Sequence, residues 1–173
     1  ADGALGLRTY AIGDDGALVD SGTLAQTGAT DVALASAAPN LLALLHRGDG
    51  LRAGGLLLVD PALAPRRLGA WAADDATMGL ELRRVALDAD GRCAWLTDRD
   101  ALMAVDVSDP GRPRATGRLT LVPPVPGLAR GELVGLAVAS RHVLVLDRRA
   151  GLFVLERAEG PGGCGARSAA GAP

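Results

Sequence analysis

The chain has 173 residues, 49% of them hydrophobic, which favours a single domain with a packed core. Its formal net charge is −2 and only 2% of its residues are aromatic, so neither a nucleic-acid surface nor a base-stacking platform is predicted. No apolar run is long enough to span a membrane.

The first half of the chain consists of short apolar runs separated by turn residues. Residues 7–12 and 17–24 flank the turn sequence GDDG and are predicted as two strands of one unit. Runs this short, bounded by Gly, Asp and Pro, are typical of strands rather than helices. The next unit is predicted to contain four strands, at residues 31–35, 41–45, 55–60 and 68–71.

The clearest unit lies between residues 84 and 121, where the turn sequences DADG, DRD and SDPG separate four apolar runs. Four strands joined by tight turns predict one antiparallel meander. The DADG sequence at 88–91 has some likeness to a calcium loop, but it lacks the further acids and the distal Glu of such loops. A hairpin turn with Gly91 in the left-handed region is therefore predicted instead. The strands of this unit are expected at 85–87, 93–96, 102–105 and 119–121.

The last unit is predicted to contain three strands, at residues 136–139, 143–146 and 152–155. No fourth strand is predicted after them, so the edge at residues 152–155 is expected to be exposed. Residues 159–173 are rich in Gly and Ala and have no large apolar side chain, which predicts a disordered tail. The predicted division is therefore a repeat segment at 1–158 and a tail at 159–173.

The units repeat one another at a nearly constant period. Equivalent third-strand leucines, Leu7, Leu56, Leu102 and Leu152, are separated by 49, 46 and 50 residues. Four strands per repeat at this period indicate an all-β fold of the β-propeller type, here a partial one of about three to four four-stranded antiparallel blades. One twisted sheet cannot bury both of its apolar faces alone, whereas stacked blades bury them against each other.

One repeat carries a recognisable motif. Residues 102–113 read LMAVDVSDPGRP, and residues 93–98 of the preceding strand read CAWLTD. This pattern resembles the LVIVD repeat, and looser copies occur at residues 41–46, 56–65 and 142–147. In the motif, Ser and Asp side chains can bond nearby backbone amides and each Pro fixes φ, so the predicted role is to lock the turn between third and fourth strands.

A second, weaker likeness concerns residues 7–24, which resemble blades of seven-bladed lactonase-type propellers. The LVIVD resemblance implies a propeller domain common in bacterial and archaeal surface proteins, with no defined catalytic residues to transfer. It implies an extracellular or cell-surface location, although no signal peptide is visible in this chain.

Two sets of polar residues occupy equivalent positions in the repeats. The first follows the second strands, and because equivalent loops of a propeller emerge on one face, it is predicted to form an arc around a ligand or protein-binding patch. The alternative is that each Asp caps its own turn and each Arg covers apolar surface. This arc contains His46, Arg47, Asp98, Arg99, Asp147 and Arg148.

The second set precedes or enters the innermost strands, which face the central channel of a propeller. Its members are predicted to line that channel, either around a ligand or simply in contact with solvent. They are Asp31, Arg83, Arg84, Arg130 and Glu132.

No catalytic motif, metal-ligand spacing or cofactor-binding sequence is visible, so no catalytic residue, metal or cofactor is predicted. Cys93 and Cys164 are predicted as two unpaired thiols, one in a buried strand and one in the solvated tail, with a disulfide as the alternative.

The predicted function is a non-catalytic propeller module for protein or ligand interaction, in a bacterial surface or exported protein. The alternative is a fragment of a propeller enzyme of the lactonase or oxidoreductase type. A count of two, four, four and three strands cannot close a ring of the usual four to eight blades. The expected partners are therefore upstream blades of the same chain and an unknown protein or small ligand on the loop face. The chain alone is expected to be oligomeric or to aggregate.

Overall fold

The computed structural model describes residues 6–47, 54–62, 64–73, 81–121, 132–157, 164 and 166–168. All regular structure in these residues is β-strand, and every strand pairing is antiparallel. The strands are β1 (Leu7–Ile12), β2 (Leu18–Leu24), β3 (Ala29–Leu34), β4 (Leu42–His46), β5 (Gly55–Asp60), β6 (Arg66–Ala72), β7 (Arg84–Leu87), β8 (Cys93–Thr97), β9 (Ala101–Asp106), β10 (Arg114–Thr120), β11 (Leu133–Val138), β12 (His142–Asp147), β13 (Gly151–Arg157) and β14 (Ala166–Ser168). No helix in the described part of the chain could cross a membrane.

The strands form one hairpin and three four-stranded meanders in chain order. We call the hairpin β1–β2 blade 1, and the meanders β3–β6, β7–β10 and β11–β14 blades 2, 3 and 4. The first strand of each complete blade contacts that of its neighbour, with β7 between β3 and β11. This is the arrangement of a partial β-propeller with its axis beside the first strands, and the predicted fold class is confirmed.

Both faces of blade 3 are buried by side chains that alternate along its strands. In β9, Met103 and Val105 pack towards blade 2, whereas Leu102 and Ala104 pack towards blade 4. The period of two places successive side chains on opposite faces of a strand. A strand is therefore expected to be apolar throughout when its own blade packs against a neighbouring blade on each face.

Each seam between blades has its own apolar core. Leu44 and Leu57 belong to the core between blades 1 and 2, and Leu45 and Leu56 to the core between blades 2 and 3. Trp95 is fully buried in the third core, between blades 3 and 4. At about 25 cal/mol per Å² of apolar surface buried, these cores are the main force holding the blades together.

The structure corrects two strand predictions. β10 spans Arg114–Thr120 rather than residues 119–121, because an exposed outer strand needs few apolar residues and its polar start carries no strand signal. The final blade also has a fourth strand, β14, so the prediction that this strand is missing is wrong. β14 pairs with Leu155, Glu156 and Arg157, so of the edge predicted to be exposed at residues 152–155 it covers only Leu155. Apart from Cys164 and β14, residues of the predicted tail lie outside the described residues.

Candidate functional site

The predicted arc lies at one end of the blades, where the second strand of each meander ends and the first begins. Asp98 follows β8, and its Oδ1 accepts hydrogen bonds from the backbone N–H groups of Asp100 at 2.9 Å and Ala101 at 2.7 Å. Its other oxygen, Oδ2, accepts a hydrogen bond from Arg118 at 3.0 Å. The Asp98 carboxylate is thus buried and bonded within its own blade.

Asp147 has the equivalent arrangement in blade 4. Its Oδ1 accepts hydrogen bonds from the backbone N–H groups of Arg149 and Ala150, both at 2.7 Å. The residue is 6% exposed, so little of its carboxylate faces solvent. Both aspartates therefore cap the turn that follows them, and the charge presented to solvent on this face comes mainly from the neighbouring arginines.

His46 occupies the same position in blade 2 but is half-buried. Its Nε2 lies so close to the backbone of Gly55 that a Cβ on that glycine would be 3.1 Å away. Burial lowers the pKa of His46, which is also lowered by the positive charge of Arg67. The imidazole is therefore favoured in its neutral form, and the cation at this position of the arc is Arg47.

The arginines of this face meet two glutamates near the axis. Arg83 bonds with one nitrogen to Glu132 and with the other to Glu81, the latter at 2.8 Å. Arg148 reaches the second oxygen of Glu132 at 3.2 Å. Residues predicted as separate sets, the arc and the channel lining, are thus joined in one network across the seam of blades 3 and 4.

Two further arginines act on this network through their charge. The hydrogen bond from Arg83 lowers the pKa of Glu81, with additional lowering by the charges of Arg83, Arg99 and Arg47. We define the arginine cluster as Arg47, Arg83, Arg99 and Arg148. Arg47 and Arg99 are exposed and form no ion pair with the described residues, so their charge is open to solvent.

The remaining predicted channel residues tie the inner strands to each other. Asp31 Oδ2 accepts a hydrogen bond from the backbone N–H of Val85 at 2.9 Å, which joins β3 to β7. Arg84 Nε donates to the carbonyl oxygen of Val134 at 3.0 Å, which joins β7 to β11. Arg130 lies outside the described residues.

Sequence reasoning missed Glu81 and the pair Asp88–Arg157. Glu81 precedes the predicted Arg83-Arg84 pair, and an acid beside two arginines is the signal that would have found it. Asp88 Oδ2 accepts a hydrogen bond from Arg157 at 2.8 Å, linking blades 3 and 4. No local sequence signal predicts this pair, because 69 residues separate its members.

The two cysteines are joined, which corrects the prediction of two unpaired thiols. Cys93 of β8 and Cys164 form a disulfide across 71 residues of sequence. The carbonyl oxygen of Cys164 also accepts a hydrogen bond from the Thr116 hydroxyl at 2.5 Å. These contacts fix the segment before β14 against blade 3, a proximity that only the folded chain creates.

Within the described ranges, no group of three or more His, Cys, Asp or Glu side chains is arranged to hold a metal ion. Thr97 Oγ1 and Arg83 Nε are buried there without a hydrogen-bond partner. The backbone N–H of Arg83 donates to the carbonyl oxygen of Thr97 at 2.8 Å, and the Arg83 guanidinium bonds to both glutamates, so both residues lie beside the glutamate network. The site that the structure supports is therefore a polar surface rich in arginine.

Comparisons with solved structures give the fold. The chain is similar to a protein from Lactobacillus plantarum, a structural-genomics target with a lactonase-like propeller fold, at a TM-score of 0.69 and 14% identity. The match covers 92% of this chain and 46% of that one. The chain is also similar to a structure described as the complex of KlAtg21 with the coiled coil of AgAtg16, at a TM-score of 0.52 and 9% identity. That match covers 87% of this chain and 43% of the other.

This chain thus spans about half the length of either structure. No protein-family model matches it, and neither does any curated protein. At these identities the likeness concerns the fold, which is that of a propeller.

Proposed function

We propose that this chain is a non-catalytic propeller module that binds an anionic group of a ligand or partner protein through the arginine cluster. The observation that carries the proposal is the convergence of guanidinium groups from three blades on one face. Arg83 and Arg148 share the carboxylate of Glu132, while Arg47 and Arg99 lie within electrostatic range of Glu81. Guanidinium groups are suited to carboxylate and phosphate because their donors form a planar fork.

The role of the acids on this face supports binding rather than catalysis. Asp98 and Asp147 are occupied by the backbone amides of their turns, and Glu132 is occupied by two arginines. A general base must instead be within hydrogen-bond reach of a substrate proton. The same face therefore offers donors and positive charge to a ligand, with its acids already engaged.

The disulfide supports placement outside the cytosol. Disulfides form and persist in oxidising compartments, including the cell surface and the periplasm. Cys93 and Cys164 form such a bond. Together with the LVIVD-like motif at residues 102–113, it favours an exported or cell-surface protein with repeats of that kind.

A binding role also agrees with one structural neighbour. The KlAtg21 structure was solved as a complex with a coiled coil, so a propeller of this general fold assembles there with another protein. By analogy, a protein partner is the favoured ligand of this module. The residues that would contact it are those of the arginine cluster.

The test is a double variant of two exposed cluster members, Arg99→Gln with Arg148→Gln. Its matched control is Arg92→Gln with Arg112→Gln, which removes two exposed arginines from the β7–β8 and β9–β10 turns, at the end of blade 3 away from the cluster. Binding of a glutamate-rich peptide, citrate and inorganic phosphate is measured by calorimetry at low salt. Loss of anion binding in the first variant alone supports the proposal. Absence of binding to all three anions, or equal loss in both variants, overturns it.

A further inference from the structure

Glu81 places a carboxylate of the chain itself on the arginine cluster. It lies in the segment between blades 2 and 3, two residues before Arg83, and bonds to that guanidinium at 2.8 Å. Between them, Leu82 is fully buried in the core between blades 2 and 3. This anchor holds the backbone in place, while the Glu81 side chain remains 64% exposed. The contact is therefore positioned by the fold but accessible from solvent.

Among the described residues, the acids that bond to the cluster or feel its charge neutralise it only in part. Four guanidinium groups face two carboxylates, those of Glu81 and Glu132. Glu132 bridges two arginines and is half-buried, whereas Glu81 bonds to one arginine from the solvent side. A competing carboxylate could replace Glu81 without breaking the seam between blades 3 and 4.

The spacing of the cluster favours an extended ligand over a small ion. Arg47, Arg99 and Arg148 follow the second strands of three successive blades, and stacked sheets lie about 10 Å apart. An extended ligand that crosses all three blades can contact each of them, which favours it over a single phosphate or carboxylate. A peptide in the polyproline II conformation has three residues per turn and rises about 3.1 Å per residue, so acidic side chains three residues apart share one face at about the separation of neighbouring blades.

We propose that the arginine cluster binds an acidic segment of a partner protein and that Glu81 is an internal competitor occupying part of that site. This inference rests on the proposed function and specifies both its ligand and its regulation. An acidic segment that binds must displace the Glu81 carboxylate from Arg83. The intact chain therefore binds such segments more weakly than a chain without this charge.

The experiment measures binding of a fluorescent peptide with Glu at every third position, by anisotropy at low salt. Glu81→Gln is expected to tighten binding by about two- to fivefold, the size of one exposed charge interaction. Its matched control is Glu156→Gln, which removes an exposed glutamate at the other end of blade 4 and is expected to leave affinity unchanged. Glu81→Ala removes the same charge with a different side chain and is also expected to tighten peptide binding. Thermal melts verify the fold of each variant.

Separate arms distinguish the possible ligands. A peptide of the same composition with its glutamates contiguous is expected to bind more weakly than the spaced peptide. Equal affinity for inorganic phosphate overturns the peptide ligand while leaving the proposed function intact, as does stronger binding to vesicles containing anionic lipid. Unchanged or weaker peptide binding by both Glu81 variants overturns the competitor role.

Discussion

At Gly69 the absence of a side chain is required by a contact between two blades. A Cβ built on this residue would lie 1.9 Å from the carbonyl oxygen of Pro110, in the β9–β10 turn of the next blade. We predict that Gly69→Ala lowers the free energy of unfolding by about 1–3 kcal/mol, because backbone must move to admit the methyl group. Denaturant unfolding measures this, with Gly117→Ala as the control, since a Cβ there meets nothing within 4 Å. Equal stability of both variants would contradict the close approach.

Gly91 is required for a different reason, its backbone conformation. Its φ is +68°, and an added Cβ would lie 3.1 Å from the side chains of Ala38 and Leu41. A β-branched residue is costly in this region, so we expect Gly91→Val to destabilise the chain strongly and Gly91→Ala to do so less. A thermal melt ranks the three proteins. A melt of Gly91→Val that matches the parent within error would disprove the turn assignment.

These two glycines differ in how far the sequence could predict them. Gly91 lies in the local pattern DADG, and the left-handed turn predicted there is confirmed. Gly69 has no local signal, because its neighbour is more than 40 residues away in the chain. The same distinction holds for the site: aspartates in turn sequences could be foreseen as caps, whereas the partner of each arginine depends on the packing of blades.

His46 should make stability depend on pH. Burial lowers its pKa below the ordinary value of 6.5, so the unfolded chain binds a proton at higher pH than the folded one. The contribution of neutral His46 to the free energy of unfolding is then fully present above pH about 6.5. It is lost as the pH falls from there towards the pKa of His46 in the folded chain. We expect the melting temperature to fall from pH 7.5 to pH 5.5 with a smaller slope in His46→Gln. His142→Gln, which removes an exposed histidine, is the control. Identical slopes in the parent and His46→Gln would contradict this effect.

Among the elements, the β9–β10 turn shows how far a motif can be interpreted from sequence. Asp106 Oδ1 accepts hydrogen bonds from the backbone N–H and the hydroxyl of Ser108, and Asp109 Oδ1 accepts one from Gly111 N–H. These bonds confirm the predicted turn-locking role for the aspartates of the motif, whereas the Ser108 hydroxyl bonds to the Asp106 carboxylate rather than to a backbone amide. The hydrogen bonds from Ser108 lower the pKa of Asp106, with Arg114 contributing further. The contact of Pro110 with blade 2 is the part that local sequence could not reveal.

β14 is the element that sequence reasoning missed, and the disulfide explains why so short a strand is held in place. We predict that Cys164→Ser lowers the free energy of unfolding by about 2–5 kcal/mol, the usual range for loss of a native disulfide. The measurement is denaturant unfolding with and without reductant. The parent is expected to lose stability in reductant, whereas the serine variant is insensitive to it.

Two results would contradict that prediction. One is a parent whose unfolding midpoint is the same with and without reductant. The other is a serine variant as stable as the oxidised parent. Limited proteolysis gives a separate readout at the carboxyl-terminal end, where loss of the disulfide should expose the chain around β14 first.

At the scale of the molecule, polar side chains connect neighbouring blades at both ends of the strands. Asp31 and Arg84 join the inner strands near the arginine cluster, while Arg157 and Asp88 join blades 3 and 4 at the other end. The repeat period predicted the blades themselves, since each repeat supplies one meander. It could not predict these ties, because they join residues from different repeats and differ from seam to seam.

The apolar faces at the two ends of the described stack have no covering blade, and this bears on the association of the chain. Ile12 and Leu18 of blade 1 are 75% and 68% exposed, and Leu152 and Val154 of blade 4 are 59% and 47% exposed. Exposed apolar surface of this kind favours association. We expect the 173-residue chain to form oligomers whose size rises with concentration. The double variant Leu152→Thr with Val154→Thr should shift light scattering towards the monomer, since Thr preserves strand propensity and removes apolar surface. A parent chain that is monomeric at every concentration would show that these faces do not drive association.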